Sequence, residues 1–366
     1  MSRNKGGRPI VSQGVPRVRL NPEEYELINQ FRAIKRESNE LGLNDEDVKH
    51  GWLKSKNASL FFKNPNFKQA EEVNYKELQE SILQDIRDFK PEYPTIFRNP
   101  STEGHLLVVD PADIHIGKLC EAFETGEDYN NQIAVKRVKE GVQGILDKSK
   151  GFNIDKILFI GGNDILHIDT PKRQTTGGTP QDTDGMWYSN FLIAKQLYVD
   201  ILETLLSVAD VHFTFNPSNH DYTHGFFLAD VIQTWFRNCD NITFDCSIAH
   251  RKGFLYGKNL IGTTHGDGAK NEHLPLLMAT EFSHEWSLSK HRYVYTHHVH
   301  HKNSKDYIGV TVESLRSPSG TDSWHHRNGY QHAPKAVEGF LHHKEFGQVC
   351  RITHIFNLIF FVSLML

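Results

Sequence analysis

The chain has few cysteines for its length: four in 366 residues, at Cys120, Cys239, Cys246 and Cys350, with no Cys-x-x-Cys pair. That argues against a disulfide framework and against a thiolate zinc site. Long apolar runs are also missing. The opening residues, MSRNKGGRPIVSQ, hold no apolar segment of the kind a secretory signal needs. The most apolar stretch, ITHIFNLIFFVSLML at 352–366, falls short of the ~20 residues of a spanning helix. An intracellular, cytoplasmic, disulfide-free protein with no membrane partner is expected, with an apolar C-terminal tail at 351–366 that includes a buried last strand. Nor is there a large excess of one charge: a net −4 argues against a uniformly basic nucleic-acid binder.

What is present is ordinary globular composition, 38% hydrophobic and 23% charged, which favours neither disorder nor a membrane fold. The length exceeds what one core usually fills, so a large domain plus a smaller module is expected. The charge is uneven. Residues 1–20 carry Arg3, Lys5, Arg8, Arg17 and Arg19 with no acid, so a basic flexible arm there could touch phosphates or could simply be a solubilising leader. Asn21-Pro22-Glu23-Glu24 reads as a helix start, with an N-cap, a proline at N1 and acids in the first turn, and the helix should reach about Arg36. A second helical stretch is expected from about Asn44 through Val48 and Trp52, with Lys54, Lys56 and Lys63 just beyond. The helical N-terminal module, 21–90, is therefore either a small DNA-binding unit of helix-turn-helix type or a helical hairpin packed on the rest. Pro91, Pro94, Pro100 and Gly104 mark 91–104 as a linker.

From Leu106 short apolar runs alternate with helical stretches, the texture of an α/β domain over 105–350. LLVVDPADIH, KILFIGGND, VHFTFNPSNHD, NLIGTTHGD and RYVYTHHVH each read as a strand running into a loop. Helices are expected over Ile133–Lys150 and from Asp184 to Ala209. Each of the five strands ends in groups able to bind metal: Asp113 and His115; Asn163 and Asp164; Asn219, His220 and Asp221; His265 and Asp267; His298 and His300. Singly these have dull explanations. Strand C-termini of an α/β sheet, however, converge on one crevice, so residues far apart in sequence can meet there. Mixed carboxylate, imidazole and amide donors suit Mn²⁺, Fe or Zn, and a pair of such ions suits phosphoester hydrolysis.

The order of these groups resembles that of the calcineurin-like metallophosphoesterases, whose pattern is DxH, GD, GNHD or GNHE, H and GHxH. The resemblance implies a four-layer β-sandwich flanked by helices and two divalent ions, with Mn²⁺ first and Fe or Zn as alternatives. It implies Asp113, His115, Asp164 and His300 around one ion and Asp164, Asn219, His265 and His298 around the other, with His220 as a catalytic histidine. Three positions depart from the pattern: Asn163 intervenes between Gly162 and Asp164, Ser218 stands for the glycine of GNHD, and His297 for that of GHxH.

Protein serine/threonine phosphatases follow the bridging aspartate with GDxVDRG. Here Asp164-Ile165-Leu166-His167 is similar instead to the DLFH segment of double-strand-break repair exonucleases of the SbcCD nuclease-subunit type, which implies that His167 helps to position a nucleic-acid phosphodiester. RQTTGGTPQDTDG at 173–185 and SPSGTDSWHHRNGY at 317–330 are similar to segments of phage- and prophage-encoded members. Lys172, Arg173, Arg316 and Arg327 are expected to contact substrate phosphates and Trp324 to stack on a base, unless these residues only brace the loops. A metal-dependent, exonuclease-like DNA nuclease is expected, with DNA as partner and with a homo-oligomer or phage replication or recombination proteins as further ones. A DNA- or protein-binding accessory factor with little hydrolysis and a small-molecule phosphodiesterase or phosphatase are the alternatives.

Overall fold

A computed structural model describes residues 93–99 and 103–356 throughout, together with 49–54, 59–63, 79–84 and part of 21–36. The chain divides into two compact units, Met1–Leu83 and Gln84–Leu366.

In the first unit Pro22, Tyr25, Arg32 and Arg36 have helical backbone, and the Tyr25 N–H donates to the Asn21 carbonyl at 3.0 Å, as the N-cap signal predicts. At Trp52 the expected second helix gives way to strand, while its expected start at 44–48 lies outside the described residues. Strands β1 (His50–Lys54) and β2 (Ser59–Lys63) pair antiparallel instead, with Trp52 opposite Phe61. The Val48 to Trp52 spacing fits one helical turn, but the aromatic residues of WLK and SLFFK favour a pleated strand. The Trp52 and Phe61 rings meet across the hairpin at 5.3 Å. A purely helical module of helix-turn-helix type is thereby corrected to a mixed one. The basic arm at 1–20 lies outside the described residues.

The second unit holds two sheets. Strands β3 (His105–Asp110), β4 (Ile154–Gly162), β5 (Asp210–Asn216) and β6 (Ile242–Asp245) run parallel side by side. β7 (Arg251–Tyr256), β8 (Asn259–Thr264), β9 (His291–Thr296), β10 (Asn303–Tyr307) and β11 (Val310–Ser314) form the second sheet in the order β10-β11-β9-β8-β7. β12 (Ala336–His343) and β13 (Gly347–Ile355) extend the first sheet beyond β3, giving β13-β12-β3-β4-β5-β6. The sheets face each other across Leu106, Val108, Leu158, Ile160, Ile261, Tyr295 and Phe340, which lie in one buried cluster.

The helices are α1 (Ala122–Thr125), α2 (Asn131–Ser149), α3 (Trp187–Leu206), α4 (Tyr222–Trp235), α5 (Leu274–Glu281), α6 (Ser283–Leu288) and α7 (Ser323–Arg327). Asn130 caps α2 by accepting the Ile133 N–H, and Ala134, Val138, Val142 and Ile145 bury one face of it. α2, α3 and α4 pack on the six-stranded sheet. Leu274 and Met278 of α5 pack on Leu260, Val294 and Val312 of the other sheet. Helices, sheet, sheet and helices make the four expected layers.

The stretch read as a linker is partly bound to this unit. The Asn241 side chain brackets Ile96 through its backbone N–H and carbonyl, both at 2.8 Å, and Arg98 pairs with Asp210 at 2.5 Å. Prolines there prevent regular structure without freeing the chain. The last strand begins at Gly347 and carries on to Ile355, across the expected boundary at 350, and Phe356 beyond it is buried. Residues 357–366 of the apolar tail lie outside the described residues. No helix among the described residues is long and apolar enough to cross a membrane, and all four cysteines are free.

Candidate metal centre

Asp113 and His115 follow β3, Asp164 follows β4, and Asn219 and His220 follow β5, so adjacent parallel strands deliver them to one edge of the sheet. His265 follows β8 and His298 and His300 follow β9, the parallel pair of the opposing sheet. Asp113, His115 and His300 offer donor atoms within 4.8 Å of one another, and Asp164, His265 and His298 do the same. Asp164 links the two groups: its Oδ2 lies 3.2 Å from His265 Nε2 and 4.0 Å from His115 Nε2. Asn219 Oδ1 is 2.9 Å from His265 Nε2. The rings of His265 and His298 have centroids 5.1 Å apart, and His115 Nε2 and His300 Nε2 stand 3.3 Å apart. The mixed carboxylate, imidazole and amide donors fit first-row divalent ions.

The backbone marks the same residues. Seven non-glycine residues among those described have positive φ, and six are Asp113, His115, Asn163, Asp164, His298 and His300. Left-handed backbone costs an L-residue roughly 1–2 kcal/mol, so its concentration where donor groups converge points to function rather than folding. Asn163 takes its φ of 51° cheaply because asparagine tolerates this region. Gly162 before it, at φ 78°, is obligatory: a Cβ would strike the Asn216 carbonyl.

The other two departures have a different explanation. Neither Ser218 nor His297 has positive φ, so glycine's freedom is not required at either. The Ser218 Oγ accepts the Asp164 N–H at 2.7 Å and donates to Asp221 Oδ1 at 2.6 Å. His297 is fully buried. Its Nδ1 donates to the Thr264 carbonyl at 3.0 Å and its Nε2 meets both oxygens of Asp110 at 3.0 Å. One imidazole thus joins the ends of β3, β8 and β9, which all carry donor groups. Sequence reasoning gave neither Asp110 nor His297 a role, and the four histidines within 297–301 hid which one faces inward.

Burial is the largest influence on several of these groups. It holds His115 and His167 far below the usual histidine range and His300 at about 4, leaving neutral rings. His265 differs: burial opposes its charge, but the Asp164 carboxylate raises it to about 9. Burial also works against the charge of Asp164, yet His265 and His220 hold it below the usual carboxylate range. Asp221, buried and beside Asp164, is pushed up to about 8.

His115, His167 and His220 form a third close group, but it contains no carboxylate, and hydrogen bonds account for it. His167 Nδ1 lies 3.2 Å from His115 Nδ1, on the side of that ring away from His300. His220 Nδ1 donates to the His167 carbonyl at 2.9 Å, its backbone N–H donates to Asp164 Oδ1 at 3.0 Å, and its ring stacks on His167. His167 is therefore an interior ring, 2% exposed, between His115 and His220. The expected role of His167 is to help position a nucleic-acid phosphodiester, and from this interior place it would do so by orienting its two neighbours.

Around the rim, Lys172 and Arg173 are exposed on the loop after Asp169, which is tied to the centre by the Thr176 N–H donating to the Asn219 carbonyl. Trp324 and Arg327 are exposed on α7. Arg316 is not available in the same way, because its guanidinium donates to the buried Glu338 at 2.6 Å; it braces the sheet.

No protein-family profile and no curated protein sequence matches the chain. Similar solved structures include an archaeal phosphodiesterase at 7% identity and TM-score 0.32, covering 69% of this chain and 99% of that one. Vps29 from Entamoeba histolytica is similar at 15% identity and TM-score 0.30, with coverage of 69% and 99%. A predicted phosphoesterase from Streptococcus pneumoniae is similar at 10% and TM-score 0.26, again covering 69% and 99%. With overlaps this small, the fold assignment rests on the sheet order and the strand-end geometry.

Proposed function

We propose that the chain is a two-metal phosphodiesterase acting on DNA, a nuclease. The observation that carries this is the pair of adjacent donor groups, Asp113, His115 and His300 beside Asp164, His265 and His298, assembled from four strand ends, with left-handed backbone at Asp113, His115, Asp164, His298 and His300 and with the Asp164 carboxylate 4.0 Å from His115 of the other group. Asp113, His115, Asp164 and His300 would hold one ion and Asp164, Asn219, His265 and His298 the other, Mn²⁺ being the first choice. Such ions supply Lewis-acid stabilisation to a phosphodiester and to an attacking water.

The protein's own groups do the rest. The bond from His220 Nδ1 to the His167 carbonyl leaves Nε2 as the nitrogen that can give a proton to the leaving oxygen. His167 fixes that ring by stacking and fixes His115 through Nδ1. DNA is supported by the exposed cations Lys172, Arg173 and Arg327 beside the exposed Trp324, a combination suited to phosphates and bases.

Metal-dependent hydrolysis of bis-p-nitrophenyl phosphate and of labelled DNA tests the proposal. Both should proceed with Mn²⁺ and stop with chelator. Asp164→Ala should lower bound metal below two ions per chain and bring both rates to background. Wild-type protein that carries two ions and cleaves neither substrate sinks the reading; turnover of the small diester alone moves the substrate away from DNA.

A further inference from the structure

We propose that α7 and the turn after it form a stacking site for one unpaired nucleobase next to the metal centre, so that the preferred substrate is a single strand. This deepens the phosphodiesterase reading and rests on it. The observation is a continuous row of rings leading outward from a proposed metal ligand. His325 stacks on His300 with centroids 4.8 Å apart and planes at 13°. Trp324 meets His325 edge-on at 5.1 Å, and Tyr330 lies against Trp324 at 5.8 Å. The inner end of the row is anchored, whereas the outer rings are open: Trp324 is 62% exposed and Tyr330 55%.

The anchoring makes this a built site rather than a loose loop. The Ser317 Oγ–H donates to the Asp113 carbonyl, and the Thr321 N–H donates to Glu127. Asp322 caps α7 by accepting the His325 N–H, also accepts from His325 Nδ1 at 2.7 Å, and is paired at 2.8 Å with Lys118, which is 1% exposed. The Tyr330 N–H donates to the His325 carbonyl, which turns the chain back and brings its ring to Trp324. Two large rings are thus held in water at a fixed place beside the centre. Adjoining exposed rings beside a cleft suit a ligand that stacks. The exposed Arg327 on the same short helix makes an anionic partner fitting, and continuity with His300 places that partner's phosphate at the centre. A base inside a duplex has both faces taken by its neighbours and is held by its partner strand, whereas an unpaired one is free to turn onto the row.

The test compares three substrates with Mn²⁺ and full-length protein: a thymidine oligomer, an abasic tetrahydrofuran oligomer of equal length, and a blunt duplex. Wild type should cleave the thymidine oligomer about 10-fold more efficiently than the abasic one, the order of one stacked base, and faster than the duplex. Trp324→Ala should bring the thymidine-to-abasic ratio near one, and Trp324→Phe should keep most of it, with unchanged melting temperatures as the check on folding. Fluorescence anisotropy with phosphorothioate versions of the two oligomers should give the same ratio without turnover. An unchanged ratio in Trp324→Ala, or a duplex cleaved as fast as the single strand, overturns the stacking site. Wild type that hydrolyses none of the three overturns the DNA-nuclease reading instead, and the phosphodiesterase reading with it if bis-p-nitrophenyl phosphate is also left intact; the anisotropy ratio then still decides whether a base is bound.

Discussion

His220 has two committed bonds and one uncommitted ring nitrogen. The backbone N–H is held by Asp164 and Nδ1 by the His167 carbonyl, so the ring cannot turn without losing both the bond and the stack on His167. Neither donor group needs it. His220→Asn should therefore keep both ions, by metal analysis, while kcat on bis-p-nitrophenyl phosphate falls by ~10²–10⁴, the range for a lost general acid. Loss of metal along with activity would make His220 a ligand. At this scale the sequence was legible where a donor follows directly on an apolar strand, as Asp113, His265 and His298 do. It was silent about Ser317, Asp322 and His325, whose roles arise from contact with residues about 200 positions earlier in the chain or from a ring stack, and no spacing records such contacts. It misjudged Arg316 because an arginine's partner, here Glu338, is invisible until β12 is placed.

Strand ends were easier to read than strand partners. β3, β4, β5, β8 and β9 announced themselves by apolar runs buried nearly throughout. The hairpin at β1 and β2 did not, since a short aromatic segment satisfies helical and strand spacing alike and the choice is made by pairing. Between elements, the bond of greatest consequence is that of His297 with Asp110, fully buried and bridging the two sheets. Replacing His297 by the glycine of the family pattern would strand a buried carboxylate. His297→Gly should cost ~3–5 kcal/mol in urea unfolding of the metal-free protein, the range for breaking a buried pair, and Asp110→Asn in that background should recover part of it. A loss under ~1 kcal/mol would mean that water replaces the ring at no penalty.

At the scale of the whole molecule, two neutral histidines, the buried His342 and the half-buried His212, set a limit on acid tolerance. Burial lowers His212 to about 4 and His342 to about 3, the first stacked on Phe254 and the second facing the Tyr295 hydroxyl. Unfolded, each would titrate near ~6.5. Below that pH the unfolded chain binds protons that the folded one excludes, so stability is fully present above ~6.5 and is lost as pH falls toward 4, by up to ~1.4 kcal/mol per pH unit for each ring. Urea unfolding at pH 7, 6 and 5 should show this slope, and His212→Gln and His342→Gln should each flatten it; an unchanged slope in both would place acid sensitivity elsewhere. The layered architecture was legible from alternating strands and helices. The return of β12 and β13 to the far side of β3 was not, because no local signal says which edge a late strand joins.

The six left-handed turns around the centre have a consequence for the history of such a chain. Asn163 adopts this backbone at little cost, and at the other five positions the surrounding sheets hold it at up to roughly 1–2 kcal/mol per residue. Were the proposed metal site not needed, glycine or asparagine at Asp113, His115, Asp164, His298 and His300 would ease that backbone while every layer of the sandwich stayed intact. Under the proposed function, the site is therefore the part of the chain most easily lost, since its donors stand where the backbone alone would favour other residues.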